Sequence, residues 1–284
     1  MLIIVGILVV FFATMGGFIL AGGNPLVLLH ISEFVVIGGV GAGILIISTP
    51  SNIMKSLVVE LIGSFKGSPV SKESVVELMK LLYELFMAGR RNGLLALDEH
   101  ITDPMSSSII SKYKTFTADP KRVAFLVNSM RPIIDGKIKP EQLSSILEKE
   151  LHTMEEESHE VVGVMHLVGD SLPGVGIVAA VLGIINTMGA IAEGPDVVGE
   201  KVAAALTGTF LGIFFAYGFI NPLGKALEFR YGTVRAYYSV LVNAITSFTK
   251  GLSPIMALEV ARRSLPENLS VEADELEESL KDIN

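Results

Sequence analysis

The chain has 284 residues, 50% of them hydrophobic and 18% charged, with a mean hydropathy of +0.56. Soluble globular domains carry about 25% charged residues, so this composition excludes an ordinary soluble protein. Net charge −8 and the lack of Lys and Arg in residues 1–54 exclude nucleic-acid binding through a basic N-terminal face, and the lack of Cys excludes disulfides, thiolate metal sites and Cys nucleophiles.

A helix that crosses a bilayer needs about 20 predominantly apolar residues. Four runs meet this. The first, Leu2–Leu20, has no basic stretch before it and no cleavage-site pattern, so it reads as retained rather than as a signal peptide. The second covers Phe34–Ser48, with its helix expected to begin earlier, near Leu26. A cytoplasmic helix follows, capped by Ser71, striped by Val76, Met79, Leu82 and Phe86, and expected to end at Gly89. Amphipathic stretches recur at Arg122–Met130 and Pro140–Met154. The latter passes through Glu155–Glu160 without Gly or Pro into the third apolar run, Val162–Ala192. The fourth run is Val202–Leu223. The tail from Glu267 holds seven acidic residues against one Lys and reads as a solvated helix or a frayed end. Period-2 alternation and hairpin turn signals are missing. The expected fold class is an all-α membrane protein with four transmembrane helices and a large helical cytoplasmic domain. Its parts are residues 1–50 (helices one and two), 51–160 (cytoplasmic domain), 161–224 (helices three and four) and 225–284 (cytoplasmic C-terminal helix and acidic tail).

Charge sets the orientation. Residues 51–160 hold 14 Lys plus Arg and residues 225–284 hold 7, so 21 of the 22 cationic residues fall on one side of the spans. The positive-inside rule places that side, with both termini, in the cytoplasm of a multi-pass membrane protein. A transporter concentrates its mass in the membrane; here more than half of the chain is expected to face the cytoplasm.

Ionisable residues inside a membrane are costly and mark function. Glu33 sits at the outer end of the second run, His166 and Asp170 near the inner end of the third, and the fourth has no charge between Val202 and Gly224. No carboxylate is expected at mid-membrane, so an ion path would use backbone and hydroxyl groups or an acid supplied by a partner. Asp170 reads either as an interfacial residue or as the mouth of a pathway. Pro173 and Pro222 each remove a backbone donor and free the carbonyls of Gly169 and Gly218. Small-residue pairs Gly39/Gly43, Gly208/Gly212 and Ala179/Gly183 permit close helix contact, within the chain or between subunits. Uncharged polar groups include Asn186, Thr187, Thr207, Thr209, Tyr217 and Asn221. His152, Glu156 and His159 share a helix face, but a metal site there is a weaker reading than solvated histidines. Walker A, G-x-S-x-G and H-E-x-x-H motifs are absent, and nothing points to an enzyme or a cofactor.

Three segments carry a family resemblance: VGDSLPGVGIVAAVLGIINTMGA at 168–190, LTGTFLGIFFAYGFINPL at 206–223 and GRRNGLLALDEHITDP at 89–104. Together they resemble the MotA family, the four-span subunits of the bacterial flagellar stator, over nearly the whole chain. The resemblance implies a homopentamer around two copies of MotB, a single-span partner that is anchored to peptidoglycan and carries the essential membrane Asp. It implies ion-driven rotation that turns the rotor protein FliG, with no cofactor and no nucleic acid. It matches Arg90, with Arg91 beside it, to the rotor-contacting Arg. The family's paired Glu falls on Asp98, with Glu99 adjacent, so either carboxylate could fill that role. Pro173 and Pro222 match the prolines that couple ion passage to conformational change, and Thr209 matches the ion-facing Thr. Asp170 and Tyr217 lie along the same path. Ala180 stands where sodium-driven relatives have Thr, which favours H+. The ExbB/TolQ group, which energises outer-membrane processes, is the alternative; its members usually have three spans.

Overall fold

The computed structural model describes residues 2–281 and residue 283, and every regular element among them is helical. In chain order these are α1 (Leu2–Leu20), α2 (Ile31–Ser48), α3 (Ser51–Phe65), α4 (Lys72–Asn92), α5 (Asp98–Thr102) and α6 (Lys114–Thr117). They are followed by α7 (Pro120–Ile134), α8 (Pro140–Gly189), α9 (Pro195–Phe215), α10 (Asn221–Thr249), α11 (Pro254–Arg262) and α12 (Ala273–Lys281). The helices α1, α2, α8 and the run from α9 into α10 are long and apolar enough to cross a membrane.

The second span begins later than its hydropathy suggests. Asn24 accepts a hydrogen bond from the Leu26 N–H at 3.0 Å and Pro25 opens a short 3-10 turn, Pro25–Leu28. Residues 29 and 30 are non-helical, and α2 starts at Ile31, not near Leu26. The third span does continue the preceding amphipathic helix: α8 is one element of 50 residues with Pro173 inside it. At the fourth span, Pro222 explains a local widening. With no N–H at residue 222 the ordinary ladder fails, and residues Ala216–Ile220 form a π-helical turn in which the Asn221 N–H reaches the Ala216 carbonyl.

The chain divides into two compact units, residues 1–67 with 157–229 and residues 68–156 with 230–284. In the first, a small core of Ile37, Leu172, Val175, Ala179, Leu211 and Ala216 holds α2, α8 and α9 together. Most large apolar side chains point outward instead, and α1 buries none of its residues. That pattern suits lipid or subunit contact, where apolar solvent replaces the core. Helices α8 and α9 cross backbone to backbone. A Cβ placed on Gly212 would lie 2.6 Å from the Leu172 carbonyl oxygen and 2.8 Å from Gly176 Cα, and one on Gly176 would lie 2.9 Å from the Gly208 carbonyl oxygen. One turn along, a Cβ on Gly183 would meet Ala205 Cβ at 2.7 Å. The pairs Gly208/Gly212 and Ala179/Gly183 are therefore spent inside the chain. A Cβ on Gly39 or Gly43 meets nothing within 4 Å.

The second unit is a conventional helical core built on α4. Its N-terminus carries the expected cap: Ser71 and Ser74 exchange side-chain to backbone hydrogen bonds at 3.3 and 3.0 Å. The apolar face of α4, from Val75 to Phe86, is fully enclosed, and Phe86 stacks on Phe248 with ring centroids 4.2 Å apart. Glu77 and Glu84, two turns apart on α4, hold the loop before α7. Glu77 accepts from the Thr115 N–H at 2.9 Å, and Glu84 accepts from Tyr113 Oη and Lys112 Nζ, each at 2.6 Å. Burial, then the bond to Glu84, pushes the Tyr113 phenol well above its ordinary range, so it remains a donor at every physiological pH.

Two expectations are corrected in this unit. Gly89 does not end α4. The helix runs on to Asn92 and stops at Gly93, whose φ of 86° suits glycine. Gly89 is buried because Leu97 and Phe248 come within 3.0 and 3.3 Å of where its Cβ would be. The acidic tail is not simply solvated or frayed either. Leu269, Val271, Leu276 and Leu280 enter the core, and the acids occupy the outer face of α12. Arg122, which the sequence marks only as the start of an amphipathic stretch, is 6% exposed. It donates to the Pro69 carbonyl at 2.8 Å, pairs with Asp119 at 3.3 Å and lies over the Tyr237 ring at 4.4 Å.

Two outcomes follow for stability. Gly212→Val would force methyl groups into the α8 backbone, at about 1–3 kcal/mol or more for such overpacking; the thermal midpoint of the detergent-solubilised protein should fall, while Gly39→Ala should leave it unchanged. In the second unit, Arg262 and Arg263 hold the Glu259 carboxyl at about 2, below the ordinary 4.5, and Arg262 also donates to the Val271 carbonyl at 2.8 Å. A depressed carboxylate stabilises the fold above its ordinary pKa and ceases to do so as pH falls through its folded value. Protection of the 267–281 segment in hydrogen exchange should therefore decline as pH drops from about 4.5 to about 2.

Candidate functional site

The residues singled out from the sequence fall in two places, one in each unit. In the membrane unit the α8–α9 crossing gathers several of them. Thr209 sits at the contact, its Cα 3.3 Å from where a Gly176 Cβ would be, and the Ala180 backbone N lies 3.4 Å from the corresponding point on Gly208. Both are half-buried. Thr187 and Thr207 are spent on their own helices, donating to the carbonyls of Gly183 and Ala203 at 2.8 and 3.0 Å. Among the described residues Thr209 has no such intrahelical bond, so its hydroxyl stays available.

The two prolines meet through their neighbours. Pro173 frees the Gly169 carbonyl, and Gly169 is the residue against which Asn221 packs so tightly that any side chain there would collide with Asn221 Oδ1. Asn221 immediately precedes Pro222, and its Nδ2 donates to Asp170 Oδ1 at 3.0 Å. Asp170 is thus tied to the start of α10, a structural role that the sequence left undecided. Asn221 Oδ1 is buried without a partner. Pro222 itself is exposed, and Tyr217, in the π-helical turn, is 61% exposed and makes no contact with the crossing that the structure records. Gly218, whose carbonyl Pro222 frees, faces α1: a Cβ there would lie 3.0 Å from Val10 Cγ1.

Glu33 lies in the first turn of α2, yet it is only 5% exposed. Its Oε2 would be 2.5 Å from a Cβ on Gly208, well inside the fourth apolar run. Glu33 stands, as expected, at the end of its span rather than in its middle; what the structure adds is that its carboxyl is packed against α9. The clue was available: Gly208 precedes Thr209 in a helix-helix glycine pair, but nothing in one sequence says which distant side chain fills the space.

In the other unit, Arg90 and Arg91 end α4 and Asp98 and Glu99 open α5, on either side of the turn Gly93–Leu97. All four are exposed. Asp98 accepts from Thr102 Oγ1 at 3.3 Å, and among the described residues neither Arg has an ion-pair partner. The turn is held from below. Leu97 is fully buried, and His100, which sequence reasoning missed, is 6% exposed with Nδ1 2.9 Å from Ser107 Oγ. Ser107 Oγ accepts from the N–H groups of Ile109 and Ile110 at 3.2 and 3.0 Å, so its proton is directed to His100 Nδ1. His100 Nε2 then carries the hydrogen and faces Glu99 Oε1 at 3.5 Å. The chemistry is anchoring: a buried imidazole fixes the base of an exposed charged turn. Among the described residues no group of three His, Asp or Glu is placed to hold a metal, and His152 pairs with Glu156 at 3.4 Å. Ser107→Ala would strand two backbone donors and the imidazole, lowering stability by about 1–3 kcal/mol; denaturant titration followed by circular dichroism measures it.

Comparison with known proteins adds the family. Residues 4–93 match the family described as Motility protein A N-terminal, and residues 118–239 match the MotA/TolQ/ExbB proton channel family. The chain is 32% identical over 283 residues to Motility protein A of Salmonella typhimurium, covering 100% of this chain and 96% of that protein. Its fold is similar to the structure of C. jejuni MotAB, with a TM-score of 0.77 and 27% identity over 94% of this chain and 96% of that one. The Bacillus subtilis flagellar MotAB stator complex shares the fold at a TM-score of 0.73 and 23% identity over 94% of each chain. The chain belongs to the motility protein A family of flagellar stator subunits.

Proposed function

We propose that this chain is the torque-generating subunit of a proton-driven flagellar stator, working with a MotB-type partner whose membrane Asp carries the ion. The full-length relationship to Motility protein A is the observation that carries this reading. The local geometry supports it. Thr209 offers a free hydroxyl at the α8–α9 crossing, and Ala180 beside it offers only a methyl group. Sodium needs several oxygen ligands to replace its water, and this position withholds one, which favours H+.

The 21 cationic residues on one side of the spans orient both termini toward the cytoplasm of the inner membrane. Five copies surround a MotB dimer and present the outward apolar faces of the membrane unit to one another, to the partner and to lipid. Ion passage alters the membrane helices where Pro173 and Pro222 interrupt the ladder. The Asn221–Asp170 bridge joins those two interruptions, so a change at one is felt at the other.

The exposed turn bearing Arg90, Arg91, Asp98 and Glu99 contacts the rotor protein FliG. The magnitudes suit a contact made and released in every step. One charge crossing 100 mV of membrane potential releases about 2.3 kcal/mol. An exposed ion pair contributes about 0.2–1 kcal/mol. Breaking a buried pair costs about 3–5 kcal/mol and would hold the rotor still.

Expression in a strain lacking its own stator gene, together with the cognate partner, tests the reading: tethered cells should rotate, and cells that assemble flagella but stay immobile would refute it. In the same strain the Arg90→Glu, Arg91→Glu double variant should assemble normally and lose most of its torque. Pro173→Ala should insert and bind the partner yet fail to turn the motor.

A further inference from the structure

We propose that Glu33 is a proton-exchanging site belonging to this chain itself, seated in the α2–α9 contact beside Thr209; the role rests on the stator reading above. The geometry carries it. Glu33 is 5% exposed, and its Oε2 is buried with no hydrogen-bond partner. Its other oxygen, Oε1, has only the Ser32 hydroxyl at 3.4 Å. The slot that holds the carboxyl exists because residue 208 is glycine: a Cβ there would stand 2.5 Å from Oε2 and 3.0 Å from Ala179 Cβ. The walls are thus a glycine, an alanine methyl and the backbone of the crossing, and the next residue of α9 is Thr209.

A carboxylate in such a slot has no cation to neutralise it. Along α2 Glu33 is the only ionisable residue; α8 has none between Asp170 and Gly189, and α9 and the π-helical turn have only the exposed Tyr217 between Lys201 and Lys225. The near titratable neighbour is His30, at the N-terminal cap of α2, whose Nε2 is also buried without a partner. An unpaired buried carboxylate oxygen is unfavourable in a membrane and is relieved by taking up a proton. The step is a simple balance. The Glu33 carboxylate binds one proton delivered by water and becomes a neutral acid. It later gives that proton to the next acceptor on the ion path, the partner's carboxylate, and returns to the anion.

The test uses the complex of this chain with its partner. In the motility strain, Glu33→Gln should co-purify the partner at the wild-type level and reduce rotation speed at least tenfold, while Glu33→Asp retains measurable rotation. Glu33→Gln cells rotating at wild-type speed would overturn the proposal. If Glu33→Gln fails to assemble, the wild-type complex decides. An exchanging acid must be reached from outside at some stage, so dicyclohexylcarbodiimide, which attacks protonated membrane carboxyls, should leave an adduct on Glu33 by mass spectrometry. No adduct after treatment of the energised complex would overturn the proposal. Failure of the wild-type gene to restore rotation would instead refute the stator reading, and the adduct would still report on the site.

Discussion

Backbone contact between α8 and α9 at Gly176, Gly208 and Gly212 is the constraint on which the membrane unit depends. Apolar side chains give no hydrophobic advantage in lipid, so helices there gain from close van der Waals approach. Three glycines let the two backbones meet at distances that a single methyl group would forbid. Everything of chemical interest is arranged around that contact. Thr209 and Ala180 flank it, Glu33 reaches into the space left by Gly208, and Pro173 lies next to Leu172, whose carbonyl faces Gly212.

The same closeness governs the polar groups. A low-dielectric surrounding makes each satisfied hydrogen bond stronger and each unsatisfied one more costly. Thr187 and Thr207 avoid the cost by bonding their own helices, whereas Asp170 and Asn221 satisfy each other in part across α8 and the start of α10. Among the described residues of this unit three buried polar atoms remain unsatisfied: His30 Nε2, Glu33 Oε2 and Asn221 Oδ1. They lie beside the α2–α9 contact or between the two proline interruptions.

The other unit follows the opposite logic. It is a densely packed helical core, and its polar devices are nearly all satisfied. Glu77, Glu84 and Arg122 fix the loops around α4 and α7, and the His100–Ser107 pair fixes the base of the Gly93–Leu97 turn. The exposed turn that carries Arg90, Arg91, Asp98 and Glu99 thus stands on a fixed base.

The helices of this protein could be read from its sequence because hydropathy and 3.6-residue periodicity are local properties. The four spans, the Ser71 cap, the continuity of α8 from amphipathic helix into span and the MotA-like segments all follow from residues near one another in the chain. Element ends were less legible: Gly89 looks like a stop, but it is a packing site for Leu97, and the acidic tail hides the core contacts of Leu276 and Leu280. The tertiary structure alone decided which glycine pairs are used within the chain, that Asp170 binds Asn221, that His100 is an anchor and that Glu33 is buried against Gly208. Each of those depends on side chains far apart in sequence meeting across a helix crossing, and no local pattern encodes that distance.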